Sequence, residues 1–340
     1  PASRSSNRTR TDLVAEPPAS AGIRCSVLKK SKTRKKPSKL TLAEFNNGRP
    51  VRPLFFYIRP MKRMALLLTL VLSISASAWS ASVDSISVTS KAMNKTFSCV
   101  VIKPTTYKRS KSKRYPVVYL LHGYSGRFSN WIIRVPELKD LADREQLLIV
   151  CPEGGYSSWY WDSPLDSSSR YETYVALEVP DQIDQLYRTI ADRAGRAITG
   201  LSMGGHGGIY LGFRHADRFS ACGSMSGAVD LSYSINKYDI AKRIGDTINH
   251  RQNWYQYSAL AAVDQTIQLP FAVIIDCGLD DHLIQGNRNL HAKMMQRKIA
   301  HDYIERPGKH DWNYWRNAVP YQVLFFSRHF QQAMKTKGVQ

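Results

Sequence analysis

Arg196-Ala197-Ile198-Thr199-Gly200-Leu201-Ser202-Met203-Gly204-Gly205 is the stretch that decides how the rest of the chain is read. A short strand-like run, 196–199, meets a Gly-x-Ser-x-Gly turn, and a helix-like run, 207–213, follows. Strand, sharp turn and helix are the context in which this pattern becomes a nucleophile elbow. Such a turn holds a serine on strained backbone with its hydroxyl exposed, and the flanking glycines let neighbouring segments come close. A serine so placed attacks carbonyl carbon. Glycine and serine are common residues, so the pattern needs partners for Ser202 in the right order along the chain.

Those partners lie downstream. Hydrolases built on such an elbow carry the acid and then the histidine after the serine. The next apolar run that ends in acid is Phe271-Ala272-Val273-Ile274-Ile275-Asp276-Cys277-Gly278-Leu279-Asp280-Asp281-His282. Asp281 is the first choice for the orienting carboxylate and Asp280 the second; either could instead complement the dipole of the helix that follows. His310, in Arg306-Pro307-Gly308-Lys309-His310-Asp311-Trp312, sits between a final strand and a final helix and is the candidate general base, with His282 as its rival. Upstream, Leu120-Leu121-His122-Gly123-Tyr124-Ser125-Gly126 ends a strand in a glycine-containing turn. Its Tyr124 amide and that of Met203 are the expected oxyanion donors. His122 is expected to brace its loop, and His206 to pack on the elbow helix.

Apolar, β-branched runs at 83–88, 96–102, 115–121, 147–151, 196–200, 221–225, 271–277 and 301–305 read as strands. Helical spacing marks 130–144, 171–189, 205–213, 283–299 and 312–334. The alternation predicts an α/β fold: a doubly wound, mainly parallel sheet with helices on both faces. Ligands then bind beyond the carboxyl ends of the strands, where every residue named above falls. Residues 228–262, rich in Tyr, Asn and Ser, read as an insertion that covers a cleft.

The net charge of +21 suggests nucleic acid until its distribution is considered. Residues 1–63 hold 16 Lys+Arg against 3 Asp+Glu, so most of the excess lies in a poorly hydrophobic leader expected to be disordered. No nucleic-acid partner is therefore expected. Met61-Lys62-Arg63, the apolar run 65–74 and the small residues 75–78 form a secretory signal pattern, 61–78, too short to anchor the chain in a bilayer. The expected organisation is a basic extension at 1–60 with translation starting at Met61, a signal peptide, and one catalytic domain at 79–340, secreted or periplasmic. Cys99, Cys151, Cys222 and Cys277 lie in apolar strand-like runs and read as buried free thiols; no spacing suggests a metal or other cofactor.

The chain resembles the putative esterase family of α/β-hydrolases, which includes S-formylglutathione hydrolase (esterase D), tributyrin esterases, feruloyl esterases and mycolyltransferases. The matching segments are Leu120-Leu121-His122-Gly123, Ser158-Trp159-Tyr160-Trp161-Asp162-Ser163-Pro164, Arg170-Tyr171-Glu172-Thr173-Tyr174, residues 200–207, Asp276-Cys277-Gly278 with Asp281, and Gly308-Lys309-His310-Asp311-Trp312. The resemblance implies the α/β-hydrolase fold and a triad of Ser202, Asp281 and His310, favouring Asp281 over Asp280. The expected function is a secreted serine carboxylesterase acting on short-chain or polysaccharide-linked acyl esters, acetyl or feruloyl, without a cofactor. Acyl transfer to a sugar, a thioesterase activity and a non-catalytic binding module on the same fold are the alternatives. Trp131, Trp159 and Trp161 either line the substrate site by stacking or pack in the core.

Overall fold

The computed structural model describes residues 81–265, 267 and 270–336. The basic extension and the signal pattern expected at 1–78 lie outside these residues. An eight-stranded sheet organises the chain in the order β1-β2-β4-β3-β5-β6-β7-β8. β1 (Ser82–Ser90) and β2 (Lys95–Lys103) form an antiparallel pair at one edge. β2 then joins β4 (Leu148–Pro152) in antiparallel fashion. β3 (Val117–Leu121), β4, β5 (Arg196–Gly200), β6 (Ala221–Met225), β7 (Ala272–Gly278) and β8 (Asp302–Arg306) are parallel.

Burial follows from this order. The central strands are covered on both faces, so β3, β4, β5 and β6 are buried throughout, whereas edge strand β1 alternates. The two-residue period sorts side chains into two cores. Val117, Tyr119 and Leu121 join one, and Val118 and Leu120 the other. Six of the helices, numbered in chain order, are α1 (Asn130–Arg134), α2 (Leu138–Glu145), α3 (Val179–Leu186), α4 (Met203–Arg214), α5 (Ile284–Gln296) and α6 (Trp312–Thr336). Buried residues of α3, α4 and α5 belong to the first core, and those of α1, α2 and α6 to the second. No helix among the described residues is long and apolar enough to cross a membrane.

One expected helix is broken at a proline and another is distorted beside one. The run at 130–144 splits into α1 and α2 because Pro136 pushes Val135 out of the helical region, to φ −133° and ψ 69°. The run at 171–189 starts as one turn, widens into a π-helical turn at Tyr174–Glu178, and continues as α3 with Pro180 in its first turn. Pro180 has no N–H to donate, so the regular ladder cannot cross that point. The segment 228–262 is an insertion between β6 and β7, built of short helical pieces at Leu231–Ser234, Ile240–Ile244, Arg251–Gln256 and Ala259–Ala262.

β3 lies between β4 and β5 while the chain runs from β3 to β4 and later back to β5. The strand order therefore reverses at the β3–β5 boundary. A crevice opens there, beyond the strands' carboxyl ends.

Candidate active site

Ser202 follows β5 at that crevice. Its backbone takes φ 54° and ψ −115°, a conformation that residues with a side chain rarely adopt. Local packing compels it. A Cβ on Gly200 would stand 2.5 Å from the Leu121 carbonyl oxygen, and one on Gly204 would stand 2.6 Å from the Leu121 and His122 carbonyl oxygens. Only glycine on both sides lets β5 turn this sharply into α4 while touching the end of β3. The turn is also pinned to β6, since Ser202 N donates to Met225 O at 3.0 Å. Strain at Ser202 is thus held in place by the sheet.

Two loops bring the partners. Asp281 is fully buried in the turn after β7, and His310 lies in the turn after β8. His310 Nε2 is 3.0 Å from Ser202 Oγ, and His310 Nδ1 is 2.8 Å from Asp281 Oδ2 and 3.1 Å from Oδ1. This geometry sets the tautomer: Nδ1–H donates to Asp281, leaving the Nε2 lone pair for the serine hydroxyl. Leu283 N donates to Asp281 Oδ1 at 2.8 Å. Burial works to raise the Asp281 carboxyl, but the bond and charge of His310 and the Leu283 amide outweigh it and hold its pKa below the ordinary value. Asp280 is exposed and its amide donates to Gly308 O, so the turn presents only Asp281 to His310.

His282 stands beside this chain without entering it. Its side chain is half exposed, its Nδ1 is 3.6 Å from Asp281 Oδ1, and its ring centroid is 4.6 Å from that of His310. Burial, then the neighbouring His310, lowers its pKa.

The loop after β3 lies against the elbow. A Cβ on Gly123 would stand 2.7 Å from Leu201 Cδ1 and 3.4 Å from Ser202 Cβ. Tyr124 and Met203 both line the cleft, and among the described residues neither backbone N–H donates to another protein atom. His122 braces the loop: Gly154 N donates to its Nε2 at 2.8 Å, which leaves Nδ1–H to donate to Gly123 O at 2.9 Å. His206 is fully buried on α4, packed edge-on to Trp159 and Trp161, with Nε2 2.9 Å from Tyr257 O. Burial depresses its pKa to about 4, so it is neutral near pH 7.

The cleft encloses about 360 Å³. Trp159 lines it, with its Nε1–H donating to Tyr238 O at 2.9 Å. Trp131 and Trp161 do not. Trp131 is fully buried in the second core, its indole N–H spent on Leu121 O, and Trp161 stacks on the far side of Trp159 against His206 and Tyr257. Period and spacing could not separate them, because Trp131 sits in a helix of only five residues and Trp159 and Trp161 in an irregular loop, where facing follows no period. In their place the structure brings Trp312, Trp315 and Tyr238 to the cleft. Trp315 meets the His310 ring edge-on at 4.9 Å. The sequence signal for the two tryptophans is their position just after His310, three residues apart at the start of α6. Tyr238 comes from the insertion, which is tied over the cleft by a Tyr124 OH bond to Asp239 Oδ2 of 3.1 Å.

The sequence profile of the family described as "Putative esterase" matches residues 90–326. The chain belongs to that family. A solved structure of a ferulic acid esterase is 31% identical, with a TM-score of 0.63, covering 74% of this chain and 99% of that one. The fold is accordingly that of the α/β-hydrolase esterases. Esterase Rv1288 of Mycobacterium tuberculosis is 26% identical over 237 residues, which is 62% of this chain and 51% of that protein. An acetyl esterase of Caldicellulosiruptor saccharolyticus is 25% identical over 221 residues, 61% of this chain and 82% of that protein. The chain thus spans about half the length of the mycobacterial relative.

Proposed function

We propose that this esterase-family chain is a serine carboxylesterase that hydrolyses short-chain or carbohydrate-linked acyl esters, acetyl or feruloyl, through an acyl-enzyme on Ser202. The observation that carries the reading is the continuous relay Ser202 Oγ to His310 Nε2, 3.0 Å, and His310 Nδ1 to Asp281 Oδ2, 2.8 Å, opening onto a cleft. As Oγ bonds to the ester carbonyl carbon, its proton passes to His310 Nε2. The carbonyl electron pair moves onto oxygen, where the Tyr124 and Met203 amides donate to it; one such donor contributes about 3 kcal/mol of transition-state stabilisation. Collapse breaks the bond to the alcohol oxygen, which leaves with the proton from His310. Water then gives a proton to His310, attacks the acyl carbon, and releases the acid as Ser202 regains its hydrogen. Asp281 stays ionised throughout, holding the tautomer and stabilising the imidazolium.

The cleft volume falls at the low end of small-molecule sites, which favours short or flat acyl groups. Aromatic walls from Trp159, Tyr238 and Trp312 suit a flat acyl or sugar ring. The ferulic acid and acetyl esterase names of the relatives point the same way. The signal pattern at 61–78 supports secretion or periplasmic export, which would present such esters to the enzyme outside the cytoplasm. The decisive test is Ser202→Ala assayed with p-nitrophenyl acetate, methyl ferulate and acetylated xylan. The variant should keep its circular dichroism and lose activity by roughly 10⁵-fold or more. Retained activity would overturn the reading.

A further inference from the structure

His282 has no part in the relay, yet it lies against it. Ligand-capable atoms of Asp281, His282 and His310 all fall within 4.8 Å of one another. Two imidazoles and one carboxylate are a donor set that suits Zn²⁺, with solvent as a fourth ligand. The three differ in access in a way that suits capture from solution. His282 is half exposed at the cleft wall, His310 is one-fifth exposed, and Asp281 is buried. All three come from turns after β7 and β8, two adjacent parallel strands, so the sheet holds the donors together in advance.

We propose that Asp281, His282 and His310 form an inhibitory site for Zn²⁺, in which His282 is the ligand that has no other task. This rests on the serine-esterase reading of the same relay. Coordination takes a lone pair from an imidazole nitrogen of His310. At Nε2 the ion takes the pair that accepts the Ser202 proton; at Nδ1 it takes the pair freed when the ring proton moves to Nε2, which then has none to offer the serine hydroxyl. In either case His310 no longer serves as base while the ion is bound. No bond of the protein backbone or substrate changes and nothing is oxidised or reduced, so a chelator restores activity. Mg²⁺ and Ca²⁺ prefer oxygen ligands and do not compete for this set. The site makes the esterase responsive to the zinc level around it through one residue outside the relay.

The test has a catalytic arm and a binding arm. In the first, ester hydrolysis by the full chain is titrated with ZnCl₂, MgCl₂ and CaCl₂ and then treated with EDTA. His282→Ala and His282→Gln are each compared with their own metal-free rate. The expected result is reversible inhibition by Zn²⁺ alone, weakened by about tenfold or more in both variants. In the second, Co²⁺ is added to Ser202→Ala protein and to the Ser202→Ala/His282→Ala pair. Visible absorption of a tetrahedral Co²⁺ centre is expected in the first and lost in the second. This arm needs no turnover, so it separates failure of the zinc site from failure of the esterase reading. Thermal melting of each variant verifies its fold. Equal Zn²⁺ sensitivity with and without His282, or no Co²⁺ spectrum in Ser202→Ala, would overturn the proposal.

Discussion

Two buried aspartates stand five residues apart at the end of β7, and they behave in opposite ways. Asp276 is the last but two residue of the strand, with no exposed surface. Arg306 of β8 and the Tyr314 hydroxyl of α6 both bond to its carboxylate. Burial dominates there and raises its pKa despite those two partners. Asp281 sits just beyond the strand, where His310 and the Leu283 amide overcome burial and lower its pKa. Asp276 is closed: its partners belong to β8 and α6, and neither Arg306 nor Tyr314 lines the cleft. Asp281 is open, because its partner has a second nitrogen that reaches Ser202. Burial alone therefore does not separate the two carboxylates; what separates them is whether a partner reaches on toward the cleft.

The two sites are also coupled through the chain. Arg306 begins the segment that carries His310, and Tyr314 packs over Gly308, whose φ of 148° leaves no room for a side chain against that ring. Gly308 O in turn accepts from Asp280 N. The closed aspartate thus positions the turn that presents the open one's histidine.

Substitutions at the two positions should separate these roles. Asp281→Asn should lower kcat by about 10⁴-fold, through loss of the correct His310 tautomer, with a near-native melting curve. A loss below tenfold would break the comparison. Asp276→Asn should instead cost about 2 kcal/mol of stability, measured by urea unfolding, because the amide turns a donor toward Arg306 or the Tyr314 hydroxyl, both of which need an acceptor there. Its kcat, measured where the protein is still folded, should fall far less than that of Asp281→Asn. Tyr314→Phe removes one bond to Asp276 and should cost about 1–2 kcal/mol in the same unfolding experiment.

The pH dependence of stability should carry opposite signs at the two carboxylates. The folded pKa of Asp281 lies below the ordinary 3.8, so its stabilising contribution is present above that pH and lost as pH falls through the folded value. The folded pKa of Asp276 lies above 3.8, so its contribution is present below that pH and lost as pH rises through the folded value. Unfolding free energies at pH 3 to 6, wild type minus each Asn variant, should therefore grow with pH for Asp281 and shrink for Asp276. The smallest effect belongs to Asp280→Asn. Its exposed carboxylate should change neither kcat nor stability by more than about 0.5 kcal/mol.

Much of this was legible in the chain itself. Strand runs in a doubly wound sheet are apolar and β-branched because both faces are covered, so β3, β4 and β7 stand out without any partner being known. Glycines at 200 and 204 are visible because no other residue permits the turn, and the order Ser202, Asp281, His310 follows from that. The alternation of strand and helix then puts those residues at the same end of the sheet. The helix break at Val135-Pro136 and the widened turn before Pro180 were legible in principle, since proline acts locally. By contrast, the facing of Trp131, Trp159 and Trp161 had no local signature. Each is apolar enough for a core, and only packing against Leu121, Tyr238 and His206 assigns its side.

Sequence alone determined the architecture, the serine elbow and the order of its partners, because local periodicity and backbone sterics act over a few residues. Tertiary structure decided between Asp280 and Asp281, set His282 beside the relay, exchanged Trp131 and Trp161 for Trp312 and Trp315 on the cleft, and brought Tyr238 across from the insertion. Each of those outcomes depends on which of two equally suitable side chains turns toward a neighbour dozens of residues away. That choice is made by close packing of the assembled sheet, loops and helices, and no short stretch of chain contains it.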